Sequence, residues 1–443
     1  MEKTDRPYHP GQLCLLPPAL QEWVPEGHLV HFLSDVVDEL NLNAILVSYE
    51  QEARGYPPYH PRMMTKLLLY AYAIGIPSSR KIAQRCEEDL AFRVLTANQT
   101  PDFRTISDFR QRHLEALADL FVQVLQVCRH AGLVKMGVVA LDGTKVRANA
   151  SKHKAMSYGR MQTELPRLEA EVATLLRQAT DADQAEDRQH GAGSRGDELP
   201  AEVTHREQRL ARIRAAKAAV EAAAQAEDPG EPDVPRRGRP RATPPGVPRP
   251  TAQRNFTDPE ARIMKDADKA FIQGYTAQAA VEAQAQVIVA CTVTNQAADA
   301  PQAVPMVEQI VQTSGQAPRV LLADAGYCSD ANITAVQTLG SEPLIATRQQ
   351  RHGNRVPDAP RGRPPASLTI RERMQRRLRT QRGRRLYARR KAIVEPVFGL
   401  IKRARGFRQF LLRGLTKVHA EWTLICLTHN LLTLYRRTWS VSA

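Results

Sequence analysis

Two short apolar runs in this chain end alike. Val138-Val-Ala-Leu141 leads into Asp142-Gly143, and Val320-Leu-Leu-Ala323 leads into Asp324-Ala-Gly326. Short apolar runs bounded by turn formers read as buried strands, and an aspartate is disfavoured inside a strand. Each acid therefore either caps a turn or does chemistry at a strand end, where open α/β sheets place their sites. Asp-Gly taken alone is more often a turn. The repetition of strand, acid and small residue is the stronger constraint: it asks for a sheet that delivers both carboxylates.

The rest of the sheet follows from the same patterning. Residues 274–281 and 286–293 read as a hairpin, residues 343–347 as a further strand, and residues 300–313 as a helix between them. Ahead of the first acid, residues 29–46, 63–76, 79–97 and 105–132 carry helical periodicity broken by prolines. Ser79 would cap one of these helices and Thr105 or Ser107 another. Basic residues near their starts, Lys81 and Arg110 among them, suit a helix-turn-helix-like DNA reader. The alternative is a dimerisation or packing module with solvated charges. Between residues 156 and 250, Leu165, Leu168, Val172 and Leu175 and later Val203, Leu210, Ile213 and Val220 step as heptads. They predict an antiparallel helical hairpin, followed over residues 228–250 by a Pro/Arg-rich linker. Arg237-Gly-Arg-Pro-Arg241 in that linker, and Arg361-Gly-Arg-Pro364 later, resemble AT-hooks that lay arginines in a narrow minor groove. Such short matches are also common by chance in Arg/Pro-rich sequence.

Charge is concentrated in one segment. The chain carries a net +15, yet residues 348–417 hold 22 Lys/Arg against Asp358, Glu372 and Glu395 alone. A field of that sign implies a polyanionic partner, with nucleic acid first. Glu395 is isolated within it, either as a metal ligand that meets a phosphate or as a surface acid paired with arginines. Lys391, Glu395 and Lys402 fall on one helix face, and Pro396 makes Glu395 a candidate N-cap with the proline at the first helical position. Arg403, Arg405 and Arg408 flank Lys402 as candidate phosphate contacts, and Lys145 follows the first acid. Six scattered cysteines without a C-x-x-C pair suggest reduced, buried thiols. With neither an apolar leader nor a run of membrane-spanning length, the expected location is the cytoplasm, with the nucleoid.

Two strand-borne aspartates and a helix-borne glutamate can converge on two Mg²⁺ or Mn²⁺ ions, about 3.5–4 Å apart, which suit phosphoryl transfer. With these residues in view the chain resembles the bacterial insertion-sequence transposases of the DDE type. The matching stretches are Leu141-Asp-Gly-Thr-Lys145, Asp258-Pro-Glu-Ala-Arg262, Leu322-Ala-Asp-Ala-Gly-Tyr327 and Val394-Glu-Pro-Val-Phe-Gly-Leu-Ile-Lys402. Ser79-Arg-Lys-Ile-Ala83 and Thr105-Ile-Ser-Asp-Phe-Arg110 look like the helical front of the same group. The resemblance implies an α/β RNase H-like catalytic core with an all-α N-terminal domain and a helical-hairpin insertion. Its implied limits are 1–132 for the helical DNA-binding or dimerisation domain, 133–155 for the first strand region, 156–250 for hairpin and linker, and 251–437 for the remaining core. Asp142, Asp324 and Glu395 would be the catalytic, metal-binding triad.

Around the glutamate the family pattern is Tyr, two residues, Arg, three residues, Glu, six residues, Lys. Glu395 and Lys402 fit it; Tyr387 is one place too far and Lys391 stands where arginine is expected, so Arg389 or Arg390 would substitute. The implied partners are double-stranded DNA, as terminal inverted repeats and target, and a second copy of the chain, as a dimer on DNA, with no membrane. Two rival readings share these residues: a metal-dependent nuclease without strand transfer, and a domesticated DNA-binding protein whose triad is inert.

Overall fold

The computed structural model of the chain describes residues 19–50, 58–190, 201–226, 243–244, 246–266, 268–348 and 359–439. The Arg237 motif, most of the linker and residues 351–358 of the basic segment lie outside the described residues. Seven helices come first: α1 (Leu29–Glu39), α2 (Asn43–Glu50), α3 (Pro61–Ala73), α4 (Ser79–Glu88), α5 (Leu90–Leu95), α6 (Phe103–Arg112) and α7 (Leu114–His130). Their limits correct two expectations. Residues 29–46 break after Leu40, and residues 105–132 break at His113. The cap of α6 is Asp102, which accepts from the N–H groups of Arg104 and Thr105 at 2.7 and 3.2 Å. Thr105 and Ser107 lie inside that helix, because Asp102 stands just outside the first turn and can reach its free amides. Ser79 is likewise the first helical residue, and Ser78 holds the cap position.

The strands and later helices are β1 (Val138–Arg147), β2 (Ala155–Ser157), α8 (Tyr158–His190), α9 (Ala201–Ala226), β3 (Gln253–Asn255), β4 (Arg262–Lys265), β5 (Phe271–Glu282), β6 (Ile288–Thr294), α10 (Ala303–Ser314), β7 (Val320–Ala323), α11 (Asp330–Thr338), β8 (Glu342–Ile345), α12 (Ile370–Arg379), α13 (Gln381–Gly399) and α14 (Leu415–Leu434). They form a mixed α/β fold. β5 pairs antiparallel with β1 along one edge and with β4 and then β6 along the other. β1 continues the sheet by pairing parallel with β7, which pairs parallel with β8. From Ile272 onward β5 is buried, and its small residues let neighbours come close. A Cβ on Gly274 would stand 2.5 Å from Val146 O.

α14 joins the front helices to this sheet. It is buried over most of its circumference, its polar Glu421, Thr428, His429 and Asn430 included, and packs against α3, α7 and β6. One continuous apolar core therefore runs from the α1–α7 layer through α14 into the sheet. Asn430 on α14 closes the outer edge of β6, accepting from Ile288 N and donating to Ile288 O, both at 2.8 Å. α8 and α9 stand apart: they pack on each other around Met161, Leu165, Leu168, Leu210 and Ile213. They lie in the chain between β1 and β5, which are direct neighbours in the sheet. No helix among the described residues is long and apolar enough to cross a membrane.

His429, next to Asn430, makes the core sensitive to pH. Its Nε2 donates to Gln286 O at 3.0 Å. Burial lowers its pKa from 6.5 to about 4, against the opposing effect of that hydrogen bond. The unfolded chain takes up the proton near pH 6.5 and the folded chain only near pH 4. Stability that is complete above the upper value is therefore lost as pH falls through the lower one, by roughly 3 kcal/mol. Glu421, whose carboxyl burial pushes up, acts in the opposite sense, so the comparison of variants is the test. His429→Gln is expected to flatten the acid limb of a melting-temperature profile. An acid limb of unchanged steepness would assign it to other groups.

α13 corrects the reading of Glu395 as a helix start. Pro396 lies inside α13, so Glu395 is in the body of the helix. A proline here removes the bond to the carbonyl four residues back, and Gln286 Nε2 supplies a donor to that carbonyl, Ala392 O, at 3.0 Å. A π-helical turn at Leu400–Ala404 then ends the segment.

Candidate active site

Register brings the two aspartates together. Leu141 on β1 stands opposite Ala323 on β7, and the residue following each is an aspartate. β1 itself runs on to Arg147, so Asp142 closes the parallel pairing with β7 and not, as its sequence suggested, the strand. Asp324 leaves β7 as the cap of a short turn and accepts from Gly326 N at 2.8 Å.

The group that meets Asp142 is an arginine. Arg390 Nη1 on α13 donates to Asp142 Oδ2 at 2.7 Å, with the two side chains only 12% and 21% exposed. Burial raises the Asp142 carboxyl above its usual range; Arg390 and the Gly143 amide pull it down, and Asp324 adds to the rise. The hydroxyl of Tyr387, one turn before Arg390, is pushed up by burial, with the charge of the same guanidinium opposing the rise. Tyr387 and Arg390 thus keep the two-residue gap of the family's Tyr–Arg pair, and it is the glutamate that falls one place out of step.

A second layer lies behind the aspartates and was not singled out in the sequence. Gln278 on β5 faces Gly143, where a Cβ would stand 2.7 Å from the Gln278 amide nitrogen. That amide donates to Asp299 Oδ1 at 2.8 Å, and Gln278 Oε1 accepts from the Tyr327 hydroxyl. Asp299 also stands 3.9 Å from Lys145 Nζ. Lys145 donates to Thr276 Oγ1 at 2.7 Å, and burial lowers its pKa against the pull of Asp299 and Asp324. A Cβ at Gly326 would lie 3.0 Å from Asp324 Oδ1 and 3.2 Å from Asp299 Oδ2, so these carboxylates flank the same glycine. The only advance signal for Asp299 was an acid between a strand end and the helix beginning near Ala300.

Glu395 makes none of these contacts. It lies about 140° round α13 from Arg390 at 100° per residue. Its side chain is exposed, and among the described residues it has neither hydrogen bond nor ion pair. Lys391 is exposed beside it. Among the described residues no set of three or more His, Cys, Asp and Glu side chains is arranged to hold a metal ion.

The remaining basic residues divide by burial. Lys402 reaches the site, donating to Thr144 Oγ1 at 3.0 Å and Lys145 O at 2.9 Å. Arg403, Arg408 and Lys81 are exposed. Two expected surface contacts are corrected. Arg405 is 5% exposed and donates to Ile425 O, Tyr72 O and the Thr428 hydroxyl, holding α14 to α3. Arg110 is 6% exposed and donates to Pro77 O and the Tyr72 hydroxyl. Neither can lie along a groove of DNA, because each guanidinium is committed to carbonyls inside the fold. Arg361 and Gly362 form a turn whose carbonyls accept from Arg376 at 2.7 and 2.8 Å, and the Arg361 side chain is exposed.

Residues 18–112 match a family described as a transposase domain (DUF772), and residues 242–431 match one described as a transposase DDE domain. The second match includes Asp324 and Glu395 but begins after β1, so the pairing of β1 with β7 is what brings Asp142 to the same place. No curated protein and no solved structure matches the chain.

Proposed function

We propose, from the premise that this chain belongs to the insertion-sequence transposases of the DDE type, that it binds the terminal inverted repeats of its element, cuts the ends and joins them to target DNA. The observation that carries the reading is the adjacency of Asp142 and Asp324 at the end of the β1–β7 pairing. The mixed sheet, with its antiparallel and parallel halves meeting at β1, supports an RNase H-like core.

The donor set fits a divalent cation. Two hard carboxylates stand together, small residues follow each, and the Asp142 carboxyl is raised by burial, so it gains from a cation beside it. Asp142 and Asp324 would hold Mg²⁺ or Mn²⁺; Glu395 is kept as third ligand on the family resemblance, its carboxylate being free of partners. A bound pair of ions would supply activation of the attacking oxygen and stabilisation of the leaving one. The protein's own part is positioning. Arg390 neutralises Asp142 and has further donors for a phosphate. Lys145 and Lys402, both half-buried, place positive charge at the same end of β1. The exposed arginines of α12 and α13 extend that field along the DNA path. The resemblance also supports a dimer on DNA.

Incubation of the full chain with Mg²⁺, a plasmid bearing both element ends and a target plasmid tests the reading. Joined molecules linked through the 3′ ends of the element are expected. Nicks without joined products would instead establish a nuclease without strand transfer.

A further inference from the structure

Two acids of the stretch Asp258-Pro-Glu-Ala-Arg262, just ahead of β4, bind backbone amides. Glu260 Oε2 accepts from Leu415 N at 2.6 Å, and Asp258 Oδ1 accepts from Gly414 N at 3.3 Å. Asp258 is fully buried, and the Tyr275 hydroxyl donates to both its oxygens at 2.8 and 2.9 Å. The two amides open α14. Gly414 holds its cap position at φ +83° and has no side chain with which to cap it. Carboxylates at a helix start satisfy its free amides and sit at the positive end of its dipole. From within α14, Glu421 accepts from Leu411 N and Leu412 N at 2.9 to 3.1 Å. Three carboxylates thus grip the chain between Leu411 and Leu415.

That chain leads back to the site. β7 pairs with β1 only as far as Leu141. On the same edge pairing resumes at Arg147, whose N–H donates to Arg408 O at 3.2 Å and whose carbonyl accepts from Phe410 N at 2.9 Å. The gap between is taken by a side chain: Lys402 Nζ donates to Lys145 O at 2.9 Å and to Thr144 Oγ1 at 3.0 Å. Lys402 is tied in turn to the segment beyond it. Phe407 N bonds Ile401 O at 3.1 Å, and Arg408 Nε donates to Lys402 O at 3.2 Å. Phe410, 1% exposed, meets edge-on the ring of Tyr275, the residue whose hydroxyl is on Asp258. The bridge to β1 is short, so its own hold on the segment is weak and the anchor at its far end matters.

We propose that Asp258 and Glu260 are positioning residues: clamping the chain at Gly414 and Leu415, they hold residues 402–410 against β1 and keep the Lys402 amine in the gap that follows Asp142. The part Lys402 plays in the reaction rests on the transposase reading; the clamp does not.

Amide hydrogen exchange of the full chain, read by mass spectrometry, tests the clamp without turnover. Glu260 is half-buried. Glu260→Ala is expected to speed exchange about tenfold in peptides covering residues 400–410. The melting temperature should stay within about 3 °C of wild type. Glu260→Gln keeps an oxygen acceptor and is expected to restore wild-type exchange. In end cleavage, Glu260→Ala is expected to slow the single-turnover rate about tenfold, but by less than about twofold in a Lys402→Ala background, because residues acting through one another are not additive. Faster exchange confined to residues 411–418 would make Glu260 a cap of α14 alone and overturn the proposal. Equal slowing with and without Lys402 would overturn it too. Should Glu260→Ala not fold, Glu260→Asp, one methylene shorter, is read in the same way. A wild type that neither nicks nor joins DNA would reject the transposase reading, while the exchange result would still decide the clamp.

Discussion

Asp324→Asn is expected to abolish end cleavage, by at least about a thousandfold, while duplex binding stays within about twofold of wild type. A thousandfold corresponds to about 4 kcal/mol of transition-state stabilisation, a reasonable share for one of the carboxylates proposed to hold the catalytic ions. The substitution preserves shape and removes charge. Asp324 makes no ion pair with a basic side chain among the described residues and bonds only the Gly326 amide at 2.8 Å, so little else is disturbed. Asp142→Asn is expected to be as inactive but less clean, because it leaves the Arg390 guanidinium, 12% exposed, without its carboxylate. Unfolding of that variant by denaturant is expected at lower concentration than for Asp324→Asn. Retention of cleavage within tenfold in either variant would remove that residue from the site.

The second large effect concerns the joint between the front helices and the central sheet. Gly75→Ala is expected to lower stability by about 3 kcal/mol. Gly75 ends α3 in a left-handed conformation, φ +82°. There its amide bonds Tyr72 O, and the amide of Ile76 bonds Ala71 O, a Schellman closure. A methyl group at this position would stand 2.4 Å from Arg405 O, a backbone atom that cannot swing away. Overpacking of that kind costs about 1–3 kcal/mol, and left-handed strain adds about 1–2 kcal/mol. Arg405 makes the contact rigid, since its guanidinium holds Tyr72 O and Ile425 O at once. Denaturant midpoints measure the loss. An unchanged midpoint would show that α3 and the segment around Arg405 are not tightly docked.

What the sequence disclosed about this site was local in origin. The two strand–acid–glycine signatures are properties of six or seven consecutive residues, and the parallel register of β1 and β7 turned them into neighbours. Arg390 was only one of two substitutes for a missing family arginine; its contact with Asp142 spans 248 positions of the chain and has no local mark. Asp299 was hidden for the same reason, because its partners Gln278 and Lys145 come from two other strands. The errors are equally physical. An arginine in a basic run looks exposed, yet Arg405 and Arg110 are buried because nearby carbonyls absorb their donors. Pro396 looked like a helix start because the side chain that donates to Ala392 O, Gln286, lies 106 positions away.

The central claim is that Asp142 and Asp324 together hold the catalytic cation, and Mn²⁺ binding tests it without reliance on turnover. Titration of the full-length protein with Mn²⁺, followed by electron paramagnetic resonance, is expected to show saturable binding that weakens at least about tenfold in both Asp142→Asn and Asp324→Asn. Saturable binding of equal affinity in the wild type and both variants would place the cation elsewhere and contradict the assignment.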